Sequence, residues 1–185
     1  MVEVSRRLAD DHAAIDQVLN ELKTALEGGD LKTSHAKLDL FWARLAVHIR
    51  AEHLHLFPTV MHGFRERVPD DSSELTLVAA EAAIDELHED HNFFMGELGE
   101  AIRIIRTLGT SSSMRKDLDG VKKIRSVVLE IERRLVRHNK LEEYKVYRWA
   151  DMVLSEQKQS ELAAAIEREL TNRPPRFSTE TWQHS

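Results

Sequence analysis

Apolar residues in this chain recur at intervals of three and four through four separate segments, and few folds are compatible with that spacing. In the first segment Leu8, Ile15 and Leu22 fall seven apart, with Leu19 and Leu26 on the companion row. Leu31, Leu38 and Leu45 repeat the pattern, as do Leu77, Ile84, Leu98 and Ile105, and then Val121, Val128 and Leu135. Rows sustained in this way belong to helices packed side by side; strands would alternate every second residue. The breaks between segments agree. "EGGD" at 27–30 supplies glycine for a left-handed helix end. "RVPDDSSE" parts the second segment from the third, with Ser72 or Ser73 available as an N-cap, and "LGTSSSMRKD" parts the third from the fourth. Short connections favour antiparallel neighbours. The expected fold is therefore all-α: an up-down-up-down four-helix bundle with an additional C-terminal helix, residues 1–170, followed by a polar extended tail, residues 171–185.

Composition removes several classes of function. The net charge of -6 comes without any basic run, so no nucleic-acid or anionic-membrane partner is expected. No stretch approaches the ~18 apolar residues of a membrane span. The first residues, "MVEVSRRLADDHAAID", hold no apolar signal run, which makes the cytoplasm the expected location. With no cysteine, disulfides and thiolate-held metals are excluded. The excess lies in histidine, ten in all, the commonest metal-binding side chain.

Six polar residues interrupt the apolar rows: His12, His48, Glu52, His91, His138 and Glu142. They follow an internal echo. "DDHAAIDQVLNEL" (10–22) aligns with "EDHNFFMGELGEA" (89–101), placing His12 on His91. "RLAVHIRAEHLHLF" (44–57) aligns with "RLVRHNKLEEYKVY" (134–147), placing His48 on His138 and Glu52 on Glu142. Each half thus offers one histidine and then a His-x-x-x-Glu, whose two side chains share a helical face. Measured from the helix ends, all four segments deliver these groups at similar depth: His12 lies 15 residues before Glu27, and His48 lies 17 after Leu31. Two carboxylates in one apolar layer repel each other and lose hydration worth several kcal/mol each. No Lys or Arg shares that layer. A pair of cations resolves the conflict, and imidazole with carboxylate suits iron, manganese or zinc.

The other histidines are expected to play lesser parts. His55 and His62 continue the row of His48, just as Lys145 and Met152 continue that of His138 and Trp149 that of Glu142. His53, His55 and His62 are expected to face solvent or an end layer, with His55 the first candidate to support a ligand from behind. His88 is open between a fifth imidazole ligand and a hydrogen-bonding neighbour.

On these residues the chain resembles the hemerythrin-like, or HHE cation-binding, family. The carrying motif is His, His-x-x-x-Glu, His, His-x-x-x-Glu, here His12, His48/Glu52, His91 and His138/Glu142, over about residues 4–154. The resemblance implies a non-haem di-iron centre: two Fe ions, with Mn or Zn as substitutes and a bridging oxo or hydroxo group. Glu52 and Glu142 would bridge, and the four histidines would be terminal ligands, two to each metal. It departs from the oxygen carriers at His88-x-x-His91 and His138-x-x-x-Glu142, and it lacks the cysteine segment of the iron–sulfur-centre repair proteins. The implied partner is a small diatomic or peroxide ligand (O₂, NO or H₂O₂) that the centre binds, senses or reacts with. No dedicated acid or base stands on the rows, so an enzyme is not specified; if there is turnover, it is that of an oxidoreductase. Two alternatives are an iron-handling or regulatory bundle whose metal occupancy controls fold or partner binding, and a metal-free interaction bundle.

Overall fold

The computed structural model describes residues 3–66, 76–108 and 114–183, and every regular element among them is helical. The helices are α1 (Glu3–Glu27), α2 (Leu31–Ala51), α3 (Phe57–Glu66), α4 (Leu77–Ile105), α5 (Met114–Leu141), α6 (Tyr147–Val153), α7 (Glu156–Leu170) and α8 (Thr179–Gln183). A π-helical turn, Glu52–Leu56, joins α2 to α3 without a break, and a second, Glu142–Val146, joins α5 to α6. No helix among the described residues is long and apolar enough to cross a membrane.

The local signals act as their chemistry dictates. Gly29 ends α1 at φ 72°, where a side chain would strain the backbone. Asp30 then caps α2, accepting from the Thr33 N–H at 3.0 Å and from its hydroxyl at 2.6 Å. Thr76 caps α4 through the Ala79 N–H at 3.1 Å. The expected caps Ser72 and Ser73 lie outside the described residues.

Two apolar clusters form the interior, and the long helices pass from one to the other. α1 leads from Leu8 in one cluster to Ile15 in the second, and α2 returns from Ile49 to Leu56 and Phe57 beyond the π turn. α4 leads from Leu87 to Phe94, and α5 returns from Leu135 to Val146 and Tyr147. His12, Glu52, His91, His138 and Glu142 occupy the crossing points, so the polar layer is sandwiched between two dry cores. α7 closes one cluster with Leu162, Ala163 and Ile166.

One expectation is met and one needs correction. Beyond Glu52 and Glu142 the rows of His55, His62, Lys145 and Met152 are not the inward ones, and His62 faces solvent as expected. Leu56, Phe57, Val60, Met61 and Phe64 are buried after the first glutamate, and Val146, Tyr147 and Ala150 after the second. Each π turn inserts one residue, which rotates everything after it by about 100° relative to an uninterrupted α-helix. Met152 is consequently 52% exposed. The described part of the tail, by contrast, is not extended. Phe177 and Trp182 are buried in the core, α8 forms at residues 179–183, and the Trp182 indole donates to the Leu170 carbonyl at 3.0 Å. Arg44 fixes this return by donating to the Trp182 carbonyl at 2.9 Å. Arg176 holds Asp39 with two hydrogen bonds, at 2.9 and 3.1 Å.

Candidate metal centre

Each His-x-x-x-Glu spans the last turn of an α-helix and the first residue of a π turn. The i to i+5 bonds, Phe57 N–H to Glu52 carbonyl and Tyr147 N–H to Glu142 carbonyl, widen the helix where the carboxylates project. Glu52 and Glu142 are both fully buried, and His12, His48, His91 and His138 nearly so. Their inward atoms form two groups able to hold an ion: His12, His48 and Glu142, and His91, His138 and Glu142. Glu142 is common to both. Its Oε2 is 3.1 Å from His12 Nε2, and its Oε1 is 3.0 Å from His138 Nε2 and 3.7 Å from His91 Nε2. Glu52 faces the same two pairs from the other half, Oε1 3.6 Å from His48 Nε2 and Oε2 3.4 Å from His91 Nε2.

Within each pair the Nε2 atoms are 3.0 Å apart, His12 to His48 and His91 to His138. Three of the four outer nitrogens are hydrogen-bonded, and the fourth faces a carboxylate. His48 Nδ1 donates to Asp11 and His12 Nδ1 to Glu143, both at 2.9 Å. His91 Nδ1 shares a 2.8 Å hydrogen bond with His53 Nε2, and His138 Nδ1 lies 3.4 Å from Asp90 Oδ2. Neutral His12 and His48 would therefore turn lone pair against lone pair. Donors about 2.1 Å from one metal at right angles sit about 3.0 Å apart, which matches these separations. The carboxylates carry the same message. Glu52 Oε2 and Glu142 Oε1 are buried and have only histidine nitrogens facing them, His91 Nε2 at 3.4 Å from the first and His138 Nε2 at 3.0 Å from the second. Among the described residues no Lys or Arg pairs with either glutamate. Arg44 serves Asp11 (3.1 Å), Arg137 reaches Asp90 (3.5 Å), and Arg50 pairs with Glu169.

Electrostatics follow from this enclosure. Burial opposes charge on His48, but Glu52 and Asp11 outweigh it and hold the imidazole well above its ordinary value. The same contest raises His12, through Glu142 and Glu143, and lifts His138 to about 10, through Glu142 and Asp90. Burial likewise opposes the Glu142 charge, yet His138, His12 and His91 keep its carboxyl well below the carboxylate range. Asp11 is depressed against its own burial by His48 and Arg44, and Asp90 by His138, Arg137 and Arg134. His53 goes the other way: burial, with His91 and His88 beside it, lowers it to about 4.

The spacing argument did not find the supporting residues Asp11, Asp90, Glu143, His53 and Tyr147. Carboxylates behind three of the imidazoles fix tautomer and ring orientation, as outer partners of metal-bound histidines do. The echo already contained most of this signal, since Asp11 and Asp90 each precede their histidine by one, and His53 and Glu143 each follow their glutamate by one. His53 is thus corrected from a solvent-facing residue to the partner of His91. His55, expected to face solvent or an end layer and the first candidate to support a ligand from behind, lies 3.8 Å from Glu169 at the surface. His88 joins neither group and packs edge-on against His53, ring centroids 4.5 Å apart. A 770 Å³ surface groove over Asp16, Asn20 and Thr24 touches none of the six.

No family model, curated protein or solved structure matches this chain. The buried imidazoles of His12, His48, His91 and His138, grouped around Glu142, could hold a metal ion.

Proposed function

We propose that this chain is a hemerythrin-like protein, an up-down-up-down four-helix bundle that holds two iron ions. His12 and His48 would hold one, His91 and His138 the other, with Glu52 and Glu142 shared between them. The observation carrying this reading is that two fully buried carboxylates, Glu52 and Glu142, face the imidazole Nε2 atoms with no Lys or Arg paired to them among the described residues. A buried acceptor left unsatisfied costs about 1–3 kcal/mol, and more when charged. Cations between the two histidine pairs satisfy both carboxylates at once. Nitrogen and carboxylate donors suit iron, with manganese or zinc as substitutes.

In this reading the centre binds, senses or reacts with O₂, NO or a peroxide. Bound iron supplies redox-active positions for such a ligand. The chain supplies the rest: Asp11, Glu143, Asp90 and His53 fix the imidazoles, while Phe57 and Phe94, both buried beside the rings, exclude water. The test is to express the full chain with iron, count metal per chain, and record spectra on adding azide, NO and peroxide. Two irons per chain with ligand-dependent bands are expected; fewer than one iron and no near-ultraviolet band would refute the proposal.

A second reading, iron handling, is favoured by the position of the centre between two apolar clusters. Losing metal there loosens both at once, so occupancy would set stability or a partner surface. Equal melting temperatures for the loaded and chelated protein would eliminate it.

A further inference from the structure

The internal echo places Phe57 on Tyr147, and that one exchange breaks the equivalence of the two halves. Each ring stacks on a histidine of the centre: Phe57 on His91 with centroids 6.1 Å apart, Tyr147 on His12 at 5.8 Å. Only Tyr147 brings an oxygen. Its Oη lies 2.8 Å from Glu52 Oε1, 3.3 Å from Glu142 Oε2 and 3.1 Å from His12 Nε2. One phenol thus touches both carboxylates and an imidazole of the same pair.

We infer that the Tyr147 oxygen is a ligand of the metal held by His12 and His48, so that the two metal positions are chemically different. The inference rests on the dinuclear reading above. Around the first position, His12 Nε2, His48 Nε2, Glu52 Oε1, Glu142 Oε2 and Tyr147 Oη have neighbouring separations of 2.8, 3.0, 3.1, 3.3 and 3.6 Å. These cluster around the ~3.0 Å edge expected for donors about 2.1 Å from a shared ion. Around the second, His91, His138 and the other two carboxylate oxygens offer four donors, and Phe57 has nothing to add. The first metal is then the more fully coordinated, and the second, on the His91 and His138 side, keeps the room for a small ligand.

The surroundings of Tyr147 suit that role. Its ring is fully buried, and its backbone carbonyl accepts from Ser5 Oγ at 3.2 Å, which fixes its position. It is also among the residues lining a 520 Å³ cleft with Ser5, Ala9 and Glu143. As the oxygen–metal bond forms, the phenol O–H bond breaks and its proton is released to solvent. No change of oxidation state is involved.

The chain has two tyrosines, so the assignment can be tested cleanly. The full chain is loaded with ferrous iron and oxidised in air, then examined by metal analysis, visible absorption and resonance Raman. The expected result is a phenolate-to-iron charge-transfer band with enhanced tyrosine ring modes. Tyr144→Phe should keep the band and Tyr147→Phe should abolish it while iron stays near two per chain. Two irons without the band, or a band surviving in Tyr147→Phe, overturns the ligand assignment and leaves the metal reading standing. No bound iron overturns both. Phenylalanine already fills the related position at Phe57, so Tyr147→Phe is expected to fold. Should it not, a band present in wild type and in Tyr144→Phe assigns the ligand by itself, and its absence from wild type refutes it.

Discussion

Stripping the metal leaves protons to do the work of cations, and this gives the chelated protein a pH dependence of definite sign. The His138 imidazole, ordinarily near 6.5, is lifted to about 10 in the folded chain. A folded value above the unfolded one means the stabilisation is complete below about pH 6.5 and is lost as pH climbs toward about 10. At about 1.4 kcal/mol per pH unit, this group alone removes on the order of 4 kcal/mol between pH 6.5 and 9.5. For a chain of 185 residues that is a fall of about 8–16 °C in Tm. His12 and His48 are raised as well and act in the same direction. Glu142 is depressed, so its contribution is lost only on acidification and stays outside this window. The iron-loaded protein should slope the opposite way, because imidazoles must shed protons to bind metal. Urea midpoints measured from pH 6.5 to 9.5, with chelator and with iron, test both slopes. A chelated protein whose midpoint is flat or rises with pH would refute the reasoning, as would identical slopes for the two forms.

Three other outcomes are expected. Replacing both carboxylates, Glu52→Gln with Glu142→Gln, should drop iron from two per chain to below about half an ion while circular dichroism still reads helix. His53→Ala removes the outer partner of His91 (2.8 Å) and should weaken metal retention about 10–100-fold in a chelator competition. Gly63→Ala would set a methyl group 2.7 Å from Val153 Cγ2 and 3.1 Å from the Val153 carbonyl, costing about 1–3 kcal/mol in a melt without changing iron per chain.

Helical segments and the six buried polar residues could be read from the sequence because both leave periodic traces. A histidine on an apolar row is visible by contrast with its Leu and Ile neighbours. The partners behind the ring are not, because Asp11, Asp90 and Glu143 sit one position off those rows, where acidic residues are ordinary. Recognising them takes the direction of each Nδ1, which only the packed helices fix. His55 falls outside the core because its row passes through the π turn, where periodicity slips by one. His53 was misjudged because its position beside that row looked solvent-facing, and only the packing of α4 shows that it reaches His91. The slip had left a trace, since apolar residues resume at Leu56 and Val60, one place later than an unbroken row requires. The tail was read as extended because Pro174 and Pro175 stop helix formation. What returns it to the core is the burial of Phe177 and Trp182 over α2 and α7, a long-range contact without periodic signal.

Because the same slip occurs after both glutamates, the π turns can be separated from the fold by deletion. Leu54 is 58% exposed within the first turn. Removing it should restore ordinary α-helical bonding, and the buried positions after the turn would then fall one place earlier, at 55, 56, 59, 60 and 63. That continues the row of Leu45, His48 and Glu52 without interruption, so α3 would keep its present face toward the core. The same deletion removes the widened backbone that lets Glu52 point inward while His53 reaches His91. An α-helix separates neighbouring residues by about 100°, which sends one of the two away from the centre. Deleting Leu54 should therefore leave the chelated protein melting at or above the wild-type temperature while it binds fewer than two irons. If the deletion variant holds two irons as tightly as wild type, or melts well below it, the π turn is part of the scaffold and has no special relation to the metal layer.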